Sequence, residues 1–387
     1  MKKILISILA LTVLVSSSSA QTPKHIVQAL KKGKPGQIVL LKNFLTEDLK
    51  KVNYAKNVAP GPQFIISDDP EYIRIPEAIV MQENVLAGAV RLYVYNVNGV
   101  LEPQKMPRKI NTVLKNLGKE DLHLRMMKYS SQKPSTNYFQ IGKQGLEDFF
   151  RSDVVGEVRI VKPGEVVPLD PRLENQVVLY DELVHGFYEF VIDQPAQLSV
   201  VQTSPEKSTV QAFADIDTII PFSHVNAGRG IFPFSNYKVV TDTVDTKNGV
   251  SQIIMADGKD DPWITGTIGA DQQPAKNAGN YGVLYDTNIK WKSTDGKAMA
   301  LVTWNSRSDN QWCGGMGLTM ELFDAKGNKA VRQMPSERLV TKSAPEAILI
   351  GIYKPDPNRE IQEIRLTYSP PGASCLPTPL ILIPIDL

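Results

Sequence analysis

The chain has 387 residues, of which 42% are hydrophobic and 22% are charged, and its formal net charge is +2. Such values are typical of a globular protein, and this length allows two domains that each bury a core. A near-neutral chain with no basic cluster longer than "LKKGK" at 30–34 is not expected to bind nucleic acid.

The N-terminus has the pattern of a secretory signal peptide. Lys2 and Lys3 precede an apolar stretch at 4–15, and a small-residue cleavage site ends at Ala20. The apolar stretch is too short to span a bilayer. We therefore expect cleavage near Ala20, a secreted or cell-envelope location, and no transmembrane segment in the mature chain.

Two short helices are predicted next. Residues 24–33 place apolar side chains near helical spacing and end at Gly33, which suits a C-terminal cap. A second helix is expected to begin at Thr46, an N-cap residue followed by acids. The segment 21–85 that contains them is predicted to pack on the first of two β domains.

Strands dominate the rest of the chain. Apolar residues alternate with Arg and Tyr across 90–95, which is the period of a strand. Several segments have the pattern strand, turn, strand, and we interpret them as hairpins. They lie at 110–130, 160–171, 185–205, 237–258 and 287–306. The likeness of 110–130 to 287–306 indicates two similarly built domains.

The predicted fold class is mostly β, with two antiparallel β-sandwich-like domains and a few short helices. Ser208 and Gln211 form a capping box, which predicts that a short helix begins at Ser208, between the two domains. The glycine-containing stretch 224–236 lacks phosphate-loop spacing and is interpreted as a linker. The predicted organisation is a signal peptide at 1–20, the N-terminal segment at 21–85, a first β-sandwich at 86–205, a helix and linker at 206–235, and a second β-sandwich at 236–387.

The stretch "TWNSRSDNQWCGGMG" at 303–317 is the strongest candidate for a ligand site. An indole stacks on the apolar face of a sugar while planar polar groups bind its hydroxyls. The candidate binding residues are Trp304, Arg307, Asp309, Asn310, Gln311 and Trp312. Alternatively, Trp304 caps the core at a strand end and Trp312 packs on a disulfide.

Two further features concern covalent and metal chemistry. In an exported chain, the two cysteines, Cys313 and Cys375, are expected to form a disulfide. The acidic turn "DGKDDPW" offers Asp257, Asp260 and Asp261 as oxygen ligands for Ca²⁺, although it lacks the EF-hand spacing and a solvated turn explains it equally well. No other cofactor is expected.

Three functions fit this sequence. The first is a secreted or cell-envelope-associated non-catalytic protein that binds an extracellular polysaccharide or a surface protein. The second is a polysaccharide-acting hydrolase, whose paired carboxylates sequence alone does not identify. The third is a structural component of a surface layer or appendage that self-associates through strand edges. No catalytic residue is assigned, because the chain has no G-x-S-x-G elbow and its histidines are scattered singly.

Overall fold

The computed structural model describes residues 21–153, 156–223, 225, 228–306, 315–335 and 344–387. This part of the chain is mostly β, as the sequence predicts. Its helices are α1 Lys24–Lys32, α2 Tyr138–Arg151, α3 Pro171–Glu174 and α4 Thr209–Asp215, with a 3-10 turn at Thr246–Asn248. None of these helices has the length and hydrophobicity that a membrane span requires.

Half of the strands precede α4. They are β1 Ile38–Leu40, β2 Lys50–Lys51, β3 Tyr54–Ala59, β4 Gln63–Ser67, β5 Tyr72–Ile73, β6 Ala78–Val85, β7 Gly88–Asn98, β8 Lys109–Asn116, β9 Leu122–Ser131, β10 Arg159–Val161, β11 Val166–Pro168, β12 Leu183–Ile192 and β13 Ala196–Thr203.

The remaining strands follow α4. They are β14 Arg229–Phe232, β15 Asn236–Thr241, β16 Val244–Asp245, β17 Ser251–Ile253, β18 Thr265–Ile268, β19 Gln273–Lys276, β20 Leu284–Lys292, β21 Ala298–Thr303, β22 Leu318–Phe323, β23 Lys329–Met334, β24 Glu346–Tyr353, β25 Gln362–Tyr368 and β26 Leu380–Ile385.

The strands β4 to β13, which we call the N-terminal half, form two sheets over one core. One sheet has the order β11-β8-β13-β6, and the other contains the run β10-β9-β12-β7-β4. Apolar side chains from both sheets meet in a single buried cluster. This strand order is that of a double-sheet jelly roll. From β6 to β13 successive strands alternate between the two sheets, except that β9 and β10 pair in one sheet.

The strands β15 to β26, which we call the C-terminal half, repeat this topology. Their sheets contain the runs β24-β21-β26-β17 and β23-β22-β25-β20-β15, and each strand of these runs occupies the place of a strand in the N-terminal half. The hairpin of β18 and β19 has no such counterpart and pairs with β14 instead. Even the parallel pairs recur, because β4 and β5 pair with β7 as β15 and β16 pair with β20. The chain is therefore built from two topologically equal units.

The five predicted hairpins are not hairpins. In each of them the two strands belong to different sheets, as with β8 and β9, β12 and β13, or β20 and β21. A short turn can join strands across the gap between facing sheets as well as within one sheet, and sequence does not distinguish the two. The sequence likeness of 110–130 to 287–306 thus compared β8 and β9 with β20 and β21. In the topology, the strands equivalent to β8 and β9 are β21 and β22.

The alternation predicted across 90–95 is present in β7, but both of its faces are buried. Val90, Leu92 and Val94 point into the core of the N-terminal half. Tyr93 and Tyr95 point the other way and belong to a second cluster, which continues into the core of the C-terminal half. The two-domain organisation stays a prediction, because this cluster is shared by both halves.

Each half is preceded by a segment that crosses to the other half. Residues 21–59, the first arm, carry α1 and β1 to β3, and these strands pair with β24, β17 and β15 of the C-terminal half. Residues 208–232, the second arm, carry α4 and β14, and β14 pairs with β4 of the N-terminal half. The two arms are thus exchanged.

The exchange corrects two predictions. Residues 24–59 do not pack on the first predicted β domain, because their strands pair with the C-terminal half. Part of the predicted linker, Arg229–Phe232, is a strand inside the largest sheet rather than a free connection. Local composition does not reveal such pairings, since their partners are more than 150 residues away.

Of the two predicted N-terminal helices, only the first exists. Helix α1 is capped by Gly33, as expected. No helix begins at Thr46, whose hydroxyl instead accepts a hydrogen bond from the Asp48 N–H at 3.3 Å. The amide of Gln252 then donates to the carbonyl oxygens of Glu47 and Leu49, so the backbone is held in a turn.

The tip of the β18–β19 hairpin is attached to the N-terminal half by Glu83. Its carboxylate accepts a hydrogen bond from the Gly269 N–H at 2.8 Å, and only 3% of the residue is exposed. Burial raises the pKa of Glu83 from 4.5 to about 7, although Arg229 nearby opposes this shift. The folded protein therefore binds a proton at this site more tightly than the unfolded chain.

This shift predicts a pH-dependent stability. The contribution of Glu83 is fully present below pH 4.5 and is lost as the pH rises through about 7. The free energy of unfolding of the wild type should therefore fall between pH 5 and pH 8. In Glu83→Gln this fall should be smaller by up to about 3 kcal/mol. Denaturant titrations at the two pH values measure it, with Glu102→Gln on the surface as control. An unchanged pH dependence in Glu83→Gln would contradict the assignment.

Candidate functional site

A cavity of about 730 Å³ opens on the C-terminal half. Its walls come from the segment after β17, the turn before β20, the loop before β26 and the first arm. The lining includes Trp263, Tyr281, Asp257, Lys259, Asp260, Gln252, Ser306, Leu376 and Pro377, together with Glu47 and Lys51 from the first arm. This volume is typical of a small-ligand site.

Much of the cavity is built by an insertion that the N-terminal half does not have. Only two residues, Leu86 and Ala87, separate β6 from β7, whereas the equivalent strands β17 and β20 are separated by 254–283. That insertion supplies Trp263, Tyr281 and the acidic turn. The cavity therefore lies where the second unit departs from the common topology, and such departures are where function is commonly added to a scaffold.

Trp263 is held against the acidic turn. It is half-buried, and a Cβ atom at Gly258 would lie 2.6 Å from its Cε2 atom. Gly258 has a φ of +75°, which favours glycine and lets the backbone approach the ring this closely. The indole therefore has a fixed position at the cavity wall, which lowers the entropy lost when a ligand stacks on it.

Tyr281 forms a second aromatic wall in the same way. Gly279, with a φ of +102°, lies beneath its ring, and an added Cβ atom would be 2.7 Å from Tyr281 Cε2. The same Cβ atom would be 3.1 Å from Leu376, which also lines the cavity. Two aromatic rings and an apolar side chain are thus fixed around one space.

The three aspartates predicted to bind Ca²⁺ do not converge. Asp257 accepts hydrogen bonds from the N–H groups of the turn, including that of Asp261 at 2.9 Å. Asp260 pairs with Lys51, and this hydrogen bond raises the pKa of the lysine. Asp261 is buried and pairs with Lys56. No cluster of three metal ligands occurs among the described residues, so calcium at this turn finds no support.

The predicted sugar platform at Trp304 is wrong. Only 4% of this residue is exposed, and it packs in the cluster that α1 forms on the outer face of the β21 sheet. The other predicted binding residues, Arg307, Asp309, Asn310, Gln311 and Trp312, lie outside the described residues. In sequence they follow Ser306, which lines the cavity.

The disulfide stays a prediction, because Cys313 also lies outside the described residues. Cys375 is buried, and its N–H donates to the carbonyl of Gly315 at 2.9 Å. The N–H of Gly317 donates to Ser374 Oγ at 3.2 Å. The chain two residues after Cys313 therefore runs beside Cys375, an arrangement compatible with the predicted bond.

Sequence reasoning did not select Trp263, although it lies directly after the acidic turn and lines the cavity. Trp291 is 1% exposed, so Trp263 is the half-exposed one of the three described tryptophans.

Comparisons with known proteins do not assign a family. No family model and no curated protein matches the chain. Among solved structures, oxalate decarboxylase from Lactobacillus farciminis shares 10% identity, with 85% of this chain and 87% of that chain covered and a TM-score of 0.15. Procruciferin, an 11S globulin from Brassica napus, shares 8% identity over 88% and 86% of the chains, with a TM-score of 0.14. Neither likeness is close enough to support an argument.

Proposed function

We propose that this protein is a secreted or cell-envelope-associated, non-catalytic binding protein that holds an extracellular polysaccharide in the cavity beside Trp263. The observation that carries the proposal is the fixed, half-buried indole that lines, together with Tyr281, a cavity formed largely by the insertion at 254–283. Aromatic walls with nearby polar groups suit a sugar, which has an apolar ring face and a rim of hydroxyls.

The charges favour a neutral polysaccharide. Lys51 and Asp260 neutralise each other. The carboxylate of Asp257 accepts hydrogen bonds from backbone N–H groups of the turn in which it lies. Among the described residues, Glu47 and Lys259 line the cavity with no ion pair, and they are opposite in sign. A ligand with uronic acid or phosphate groups would therefore find little net attraction.

The hydrogen bonds and ion pairs of the cavity carboxylates support a binding function rather than hydrolysis. A glycosidase needs one carboxylic acid to donate a proton and a second carboxylate to act as nucleophile or base. Asp257 is committed to the turn and Asp260 to Lys51. Glu47 is then the one cavity carboxylate without such a partner among the described residues, which is one too few for this mechanism.

Trp263→Ala is expected to weaken binding of a neutral polysaccharide at least tenfold, about 1.4 kcal/mol, because the stacking surface is lost. Isothermal titration against neutral and uronic-acid polysaccharides measures it, with circular dichroism to show that the variant is folded. Tyr180→Ala is the matched control, since this half-buried tyrosine lies outside the cavity lining. Equal affinities for wild type and Trp263→Ala, or release of reducing ends by the wild type, would contradict the proposal.

A further inference from the structure

The first arm is attached to the C-terminal half by contacts along its whole length. In α1, Ile26 and Leu30 are fully buried against the sheet of β21, β24 and β26. Strand β1 pairs with β24, β2 with β17, and β3 with six residues of β15. The arm thus fills an apolar face and continues two sheets at their edges.

The arm has no strand pairing with the half to which it is directly joined. It reaches β4 through Pro60, Gly61 and Pro62 alone, and β4 belongs to the other half. The second arm follows β13 directly and packs on the N-terminal half through α4 and β14. The C-terminal half, by contrast, is completed by an arm that the whole N-terminal half separates from it in sequence.

We propose that the arm-binding surface of the C-terminal half also accepts the first arm of a second copy of this chain, so that the protein self-associates by arm exchange. A second copy carries the same arm, and its pairing with β15, β17 and β24 reproduces every contact made within one chain. The short proline-containing link favours this outcome, because short hinges commonly convert an internal contact into an exchanged one. In the exchanged state, Glu47 and Lys51 of one copy would line the cavity of the other.

A cross-link between variants that each carry one introduced cysteine, in addition to Cys313 and Cys375, tests the proposal in the full-length mature chain. Asn57 of β3 lies opposite Lys238 of β15 in the antiparallel pair, and both are exposed. Directly opposed Cα atoms are at a separation that a disulfide accepts. One chain carries Asn57→Cys and the other carries Lys238→Cys. The two are mixed at high concentration in sub-denaturing guanidinium, diluted and oxidised, and the cross-link is mapped by peptide mass spectrometry.

Arm exchange predicts a covalent 57–238 heterodimer whose yield rises with protein concentration. The yield should be several-fold above that of a control mixture in which Lys119→Cys, on the surface of the N-terminal half, replaces Lys238→Cys. The double variant Asn57→Cys/Lys238→Cys shows whether the pair closes within one chain. If it closes while the mixture gives no more dimer than the control, exchange does not occur. If it fails to close, the arm register is wrong, and the proposal is equally overturned.

Discussion

Replacing Arg91 by methionine is expected to lower the free energy of unfolding by about 3 to 5 kcal/mol. The guanidinium is buried between the halves, where its Nε donates to Glu189 at 2.8 Å and its Nη1 donates to the Ser235 carbonyl at 2.8 Å. Removing it leaves a largely buried carboxylate without its partner and an unsatisfied carbonyl. Urea denaturation measures the loss.

The double variant Arg91→Met/Glu189→Leu should recover part of that loss, because no charge is then left unpaired. Arg365→Met is the control, since this exposed arginine lies over the ring of Phe323 on the surface. A loss in Arg91→Met no larger than in Arg365→Met would show that the buried guanidinium, with its ion pair to Glu189 and its hydrogen bond to Ser235, does not stabilise the fold.

Gly230→Ala is expected to cost roughly 2 to 4 kcal/mol, because it strains the exchanged strand β14 in two ways. Gly230 has a φ of +118°, which disfavours any side chain, and an added Cβ atom would lie 2.2 Å from the Thr267 carbonyl oxygen. That oxygen belongs to the backbone of β18, so the neighbouring strand would have to shift. Thermal unfolding of the purified variant measures the effect.

Gly296→Ala separates the two causes. Gly296 also has a positive φ, +77°, but an added Cβ atom there would meet nothing within 4 Å. Its substitution should cost only the backbone strain, about 1 kcal/mol. Equal losses in the two variants would mean that close packing of β14 against β18 contributes nothing.

The local features of the fold could be predicted from the sequence. The alternation in β7, the glycine cap of α1 and the capping box at Ser208 each depend on a few neighbouring residues, and the structure contains all three. The sheet to which each strand belongs could not be predicted. A turn such as 293–297 between β20 and β21 spans the gap between sheets with the same residues that a hairpin turn uses.

The pairing of the first arm with the C-terminal half, and the residues that line the cavity, could not be predicted, because both depend on contacts between residues far apart in sequence. Trp304 and Trp263 both lie next to polar residues in sequence, yet the first belongs to the buried cluster that contains α1 and the second lines a cavity. Nothing near Trp304 in sequence indicates that a helix from the first arm joins its cluster. Burial of an aromatic residue is decided by long-range packing, so sequence alone did not show that Trp304 is buried and that Trp263 lines a cavity.

Binding of a neutral polysaccharide beside Trp263 is tested by acrylamide quenching of tryptophan fluorescence. Trp291 and Trp304 are buried, so among the described tryptophans Trp263 is the one that acrylamide is expected to reach. We expect a quenchable fluorescence component that a neutral polysaccharide protects and that is missing from a folded Trp263→Phe variant. A quenching curve that no polysaccharide changes, or protection that persists in Trp263→Phe, would contradict this expectation.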